Sequence, residues 1–160
     1  MSVAFRREGD EEHLEPKFEI PIPPGPNLVT PRGLRLIDEK VAEVEAAVAR
    51  LEAEGAEESE IKAAKRDLRY WQTRQITAEP APEPDGETVE IGTTVSFTLA
   101  GKHRTFSIVG DDEADPAAGS VSWTAPLARA MIGAEAGECV AFNGREDAIE
   151  VLDVNVTPAG

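Results

Sequence analysis

The residues best placed to do chemistry lie in the stretch AEGAEESEIKAAK, Ala53 to Lys65, where Glu54, Glu57, Glu58 and Glu60 precede the first basic residue, Lys62. A turn that only reverses the chain does not need so much unpaired negative charge; the bland alternative is a solvated acidic turn. A second candidate follows at once. Lys62, Lys65, Arg66 and Arg69 fall on one face if this segment is helical, forming a basic strip or the ordinary solvent face of a helix. Ser122-Trp123-Thr124-Ala125-Pro126 reads as a helix start held by Thr and Pro for capping. Elsewhere there is no nucleophile–base pair, phosphate loop or zinc spacing. His13 and His103 read as surface residues, and Cys139 in GECVAF reads as a small buried hydrophobe on a strand.

The elements that must position these groups differ between the two halves of the chain. Thr30-Pro31 is an N-cap followed by proline at the first helical position. Leu34, Ile37, Val41, Val44, Val48 and Leu51 then recur at alternating spacings of 3 and 4, a coiled-coil seam. Gly55 breaks it. A second seam runs through Ile61, Ala64, Leu68 and Trp71 to Gln75 or Ile76, with Ser59 as its expected cap. So short a connection requires the two helices to fold back as an antiparallel hairpin, which puts the acidic stretch at its tip. No further heptad segment is present to complete a bundle.

Before the hairpin, residues 1–29 mix charge with PIPPGPNL and are expected to form an extended or disordered arm. The finger is assigned to residues 30–76, and TAEPAPEPDGE, residues 77–87, to a linker. In residues 88–160 the runs TTVSFTL, HRTFSIVG, GSVSW, ECVAF and AIEVLDV alternate with turn signals, and APLARAMIG is one short helix. The fold class expected is α+β: a helical hairpin plus an antiparallel sheet with one helix. A net charge of -15 disfavours binding a duplex phosphate backbone and favours a partner with a basic surface. With one cysteine, no signal-peptide pattern and no membrane-length apolar run, a soluble cytoplasmic protein is expected.

The order Val109-Gly110-Asp111-Asp112-Glu113-Ala114-Asp115 and then Pro126-Leu127-Ala128-Arg129-Ala130-Met131-Ile132-Gly133, behind a heptad hairpin, resembles the Gre family of bacterial transcript cleavage factors and their shorter relative, the regulator of nucleoside diphosphate kinase. The resemblance covers Thr30 to Val154 and leaves out the N-terminal arm. It implies an FKBP-like C-terminal domain that docks at the rim of the RNA polymerase secondary channel, with Ser122, Thr124 and Pro126 at the contact. Thr124 stands where the family usually has Asp or Asn, and Ala125 where it has Ser. The finger would enter the channel as part of a monomeric factor without an active site of its own. An ungapped alignment anchored on Ala63-Ala64-Lys65 places Glu54, Glu57 and Glu60 on the family's acidic tip residues. Glu54 and Glu57 would then help hold a Mg²⁺ shared with the polymerase for cleavage of backtracked RNA, with Glu60 beside them. Lys62, Lys65, Arg66 and Arg69 would face nascent RNA. Gly55, Glu58 and Ile61 depart from the family tip, and the hairpin is shorter than the usual finger by about three turns per arm, roughly 16 Å. The alternative implied is a polymerase-binding regulator that does not stimulate cleavage. A less favoured enzyme reading, an FKBP-like prolyl isomerase, would need a concave aromatic pocket built from Phe97, Phe106, Trp123 and Phe142.

Overall fold

The computed structural model describes residues 19–158, so most of the expected N-terminal arm, His13 included, lies outside the described residues. Helix α1, Pro31–Glu54, begins as its sequence requires: the Gly33 N–H donates to Thr30 Oγ1 at 3.0 Å, and Pro31 occupies a position whose N–H would have no helical partner. Ile37, Val41 and Val48 are buried, and Leu34, Val44 and Leu51 half-buried. The helix stops in a Schellman motif. Gly55 takes φ 70°, its N–H bonds the Glu52 carbonyl at 3.2 Å, and the Ala56 N–H bonds the Leu51 carbonyl at 3.0 Å.

Helix α2, Glu58–Thr77, starts two residues earlier than a Ser59 cap would allow. The Glu57 carbonyl accepts the N–H groups of Glu60 and Ile61 at 3.0 and 3.1 Å, so Glu57 holds the cap position and Ser59 lies inside the first turn. Ile61, Ala64, Leu68 and Trp71 are half-buried, whereas Gln75 is exposed and Ile76 is 81% exposed, so the seam ends at Trp71. Polar ties run between the helices. Lys65 Nζ meets Glu52 Oε2 at 3.2 Å beside the turn, and Gln75 Nε2 donates to Asp38 Oδ1 at 2.9 Å at the opposite end, the order that antiparallel helices require.

The chain divides into two compact units, residues 19–24 with Asp38–Ile76, and Gly25–Ile37 with residues 77–158, the division falling inside α1. Two expected segments therefore change character. Strand β1, Asn27–Val29, at the end of the expected arm, pairs in parallel with β2, Ala78–Pro80, at the start of the expected linker. Pro80 and Pro26 do not prevent this, because the bonds needed come from other groups: the Ala81 N–H, for example, donates to the Val29 carbonyl at 2.9 Å. The far end of the expected linker is also folded. Asp85 Oδ1 accepts the N–H groups of Glu87 and Thr88 at 2.8 and 3.1 Å, and these bonds, Glu87 first, pull the Asp85 carboxyl below its ordinary range.

The second unit is built on a five-stranded sheet of β3 (Thr93–Leu99), β4 (Lys102–Val109), β5 (Ser120–Ser122), β6 (Cys139–Phe142) and β7 (Arg145–Val156), in the order β5-β4-β3-β7-β6. Tight turns at Ala100-Gly101 and Asn143-Gly144, all four residues with positive φ, join β3 to β4 and β6 to β7 as antiparallel hairpins. The sheet is mixed rather than wholly antiparallel. Residues 110–119 return the chain through single 3₁₀ turns at Asp111–Glu113 and Pro116–Ala118, so that β5 lies parallel to β4. Helix α3, Pro126–Met131, places Ala128 and Met131 in the core with Val95, Phe97, Ile108 and Ile149. This α+β unit has one further surprise: Cys139 is exposed. On the edge strand β6, Val140 and Phe142 turn towards the core, and the strand's period of two turns Cys139 outward.

Candidate functional site

The turn between α1 and α2 does not treat its carboxylates alike. Glu54 Oε2 is 4.0 Å from Arg50 Nε, a loose pair one helical turn apart, and Glu58 Oε1 is 3.4 Å from Lys62 Nζ. Glu57 and Glu60 have exposed side chains with no ion pair or side-chain hydrogen bond among the described residues. They occupy the cap position and the first turn of α2, where the free N–H groups of a helix start stabilise negative charge without neutralising it as a side-chain cation would. Among the described residues no group of three or more His, Cys, Asp or Glu converges on a space able to hold a metal. The tip therefore offers Glu57 and Glu60 directly and Glu54 through a weak pair, as exposed oxygen donors and not as a closed cage.

The basic strip is largely compensated within the protein. Lys62 is paired with Glu58, Lys65 with Glu52, and Arg69 forms a two-pronged fork with Glu19, both bonds at 2.7 Å. The hydrogen bond from Arg69 is the chief cause that lowers the Glu19 carboxyl, with the charge of Arg66 a smaller contribution, and Glu19 in turn raises Arg69. Sequence reasoning, which looked only along α2, missed Glu19 because it lies in the N-terminal segment.

At the corner after β5, neither hydroxyl caps α3. The cap position belongs to Ala125, which makes no side-chain cap bond. Ser122 Oγ donates instead to Asp111 Oδ1 at 2.6 Å and Thr124 Oγ1 to the same oxygen at 2.8 Å. Pro126 is exposed beside them as the first residue of the helix. Trp123, half-buried, packs against the core with Phe106 and Phe142, and Phe97 is fully buried there, stacked on Phe106 with centroids 6.1 Å apart. The four aromatics are thus committed to the core. A cleft of about 350 Å³ in this unit is lined by Pro31, Pro82, Pro84, Ile91, Val109 and other non-aromatic residues, which is not the lining an isomerase pocket needs. His103 is exposed on β4.

Close by, Glu113 holds the base of α1 within the same unit. Its side chain is 8% exposed; Oε1 accepts the Thr30 hydroxyl at 2.6 Å, and Oε2 lies 3.8 Å from the Nε of Arg32, which is 68% exposed. Asp111 and Glu113 both belong to the run Gly110-Asp111-Asp112-Glu113, legible as a motif but not as the support for two separate elements.

Residues 83–158 match the family model described as transcription elongation factor, GreA/GreB, C-term. Over that stretch the chain is similar to the C-terminal domain of GreA and GreB. Transcription elongation factor GreA of Thermomicrobium roseum is 36% identical over 75 residues, 47% of this chain and 48% of that protein. GreA of Caulobacter vibrioides is 44% identical over 73 residues, 43% of this chain and 46% of that protein. The chain thus spans about half the length of the curated relatives it matches. Among solved structures, GreA factor homolog 1 of Thermus thermophilus aligns over 82% of this chain and 99% of its own at 17% identity, with a TM-score of 0.37. The GreA/GreB match covers the corner, Asp111 and Glu113, but not the helical hairpin. No helix among the described residues is long and apolar enough to cross a membrane.

Proposed function

We propose that this chain is a Gre-type transcription elongation factor that binds RNA polymerase at its secondary channel, acts there as a monomer in the cytoplasm, and brings tip carboxylates to the polymerase active site. The observation that carries the reading is the GreA/GreB-like domain in one chain with an antiparallel helical hairpin whose turn leaves Glu57 and Glu60 uncommitted. Ser122, Thr124 and Pro126 form the docking corner. Glu57, Glu60 and, once free of Arg50, Glu54 supply hard oxygens of the kind Mg²⁺ prefers, and so few carboxylates complete a shell only when polymerase and phosphate groups share it. The ion, when held between the two proteins, lowers the cost of water attack on a phosphodiester. The chemistry then belongs to the polymerase, and this chain is its cofactor and not an enzyme.

The second reading, a polymerase-binding regulator without cleavage, is favoured by two observations. Lys62, Lys65 and Arg69 are already paired to carboxylates, which leaves little of the strip for nascent RNA. The arms, 24 and 20 residues, extend only about 36 and 30 Å. The deciding experiment is an RNA cleavage assay on a purified backtracked polymerase complex, with and without the protein. Shortening of the transcript that is abolished by a Glu54→Ala/Glu57→Ala/Glu60→Ala variant supports the first reading. Retention by polymerase without shortening supports the second, and a chain that polymerase does not retain refutes both.

A further inference from the structure

The corner between β5 and α3 contains a triangle of oxygens with too few protons for its edges. Asp111 Oδ1 lies 2.6 Å from Ser122 Oγ and 2.8 Å from Thr124 Oγ1, and the two hydroxyl oxygens are 2.7 Å apart. A carboxylate accepts and each hydroxyl donates once, so three short contacts share two protons. Bonds to a carboxylate are the stronger ones, and both protons point inward to Asp111. Ser122 Oγ also accepts the Thr124 N–H at 3.1 Å. The corner's backbone is closed independently: the Trp123 N–H donates to the Val109 carbonyl at 2.9 Å and the Ala125 N–H to the Ser122 carbonyl at 3.0 Å. The hydroxyls are therefore not needed to make the turn or to cap the helix.

We infer that Asp111 is a positioning residue: it fixes the hydroxyl protons of Ser122 and Thr124 inward, so that the corner presents only oxygen lone pairs and accepts a cationic hydrogen-bond donor, a lysine or arginine side chain, from the partner. A partner carboxylate would meet lone pairs with no proton between. The charge of the surrounding domain agrees with this choice, since from Ala78 onward four Lys and Arg residues stand against fifteen Asp and Glu. The inference rests on the polymerase reading, and it adds to it which residue prepares the corner and which chemistry the facing surface must have.

The test is a titration of the full chain against purified polymerase, read by fluorescence anisotropy, for Asp111→Ala and Asp111→Asn in the wild-type and Ser122→Ala/Thr124→Val backgrounds, with thermal unfolding of each variant as the folding control. Asp111→Ala weakens binding about tenfold in the wild-type background, the size of one lost charge-assisted bond. Asp111→Asn, which keeps an acceptor oxygen at the same place, stays within about threefold. In the background without hydroxyls, Asp111→Ala adds no further loss, the non-additivity expected of residues that act through one another. Three results overturn the role of Asp111: no loss with Asp111→Ala, an equal loss in both backgrounds, or a loss with Asp111→Asn as large as with Asp111→Ala. Failure of polymerase to retain the wild-type chain overturns the polymerase reading and this inference with it.

Discussion

Thr30 uses one hydroxyl twice. It accepts the Gly33 N–H at the start of α1 and donates to Glu113, whose carboxylate is almost wholly covered. Thr30→Ala removes the helix cap and also leaves a buried acceptor without its short bond, so it should destabilise the protein by about 2 kcal/mol. Thr30→Ser keeps the hydroxyl and should recover most of that; urea unfolding of the two variants checks both. Glu19 gives a pH-dependent counterpart in the other unit. Because the Arg69 fork lowers its pKa in the fold, the tie is complete above the ordinary glutamate range and is lost as pH falls through the depressed value. An NMR titration should place the Glu19 side-chain carboxyl below the ordinary glutamate range, and Arg69→Ala should return it towards that range. An unchanged titration in Arg69→Ala would show that the fork is not formed in solution.

At the scale of elements, the close approach between β1 and the turn after β4 depends on Gly110. Its φ of -76° is open to any residue, so the requirement is space: a Cβ there would lie 2.5 Å from the Leu28 carbonyl oxygen, a backbone atom that moves only if β1 moves. Gly110→Ala should cost roughly 3 kcal/mol, the upper end for forcing extra volume into a packed site, and should speed amide hydrogen exchange in Asn27–Val29 before the rest of the sheet. Protection of those amides at the wild-type level would show that the strand accommodates the methyl group. The same pair of segments shows where the sequence stops being legible. The long helices and the strands β3 to β7 declare themselves through periodicity, and their ends through Thr30-Pro31, Gly55, Ala100-Gly101 and Asn143-Gly144. Strands β1 and β2 have three residues each in proline-rich surroundings and pair across about fifty positions, which is too short to show a period and too distant for any local signal. The exposure of Cys139 is illegible for a related reason: a strand of four residues gives no sequence clue as to which of its two faces is inward. The candidate site divides in the same way. The acidic tip and the basic strip could be read along one helix, whereas the neutralisation by Glu19 and the hold of Asp111 on Ser122 and Thr124 exist only after distant segments meet.

For the whole molecule, the proposed function separates two tasks onto different residues, docking on the hydroxyl corner and chemistry on the tip. This separation gives a prediction that neither site alone provides. A tip variant, Glu54→Ala/Glu57→Ala/Glu60→Ala, removes exposed carboxylates from a turn closed by backbone bonds around Gly55, so it should fold as the wild type does and still bind polymerase. Added in tenfold excess to a cleavage reaction stimulated by the wild-type chain, it should occupy about nine-tenths of the polymerase and suppress cleavage in proportion, by mass action between equal binders. The same excess of Ser122→Ala/Thr124→Val, weakened about tenfold at its docking corner, should occupy only about half of the polymerase and suppress cleavage correspondingly less. If the wild type binds without cleaving, the same pair of variants is read by competition for fluorescently labelled wild-type protein, and the corner variant should need about ten times the concentration of the tip variant to displace the label. Displacement by both at equal concentration would place the polymerase contact outside the corner, and displacement by neither would make the tip carboxylates part of binding itself, contradicting a tip that serves only the reaction.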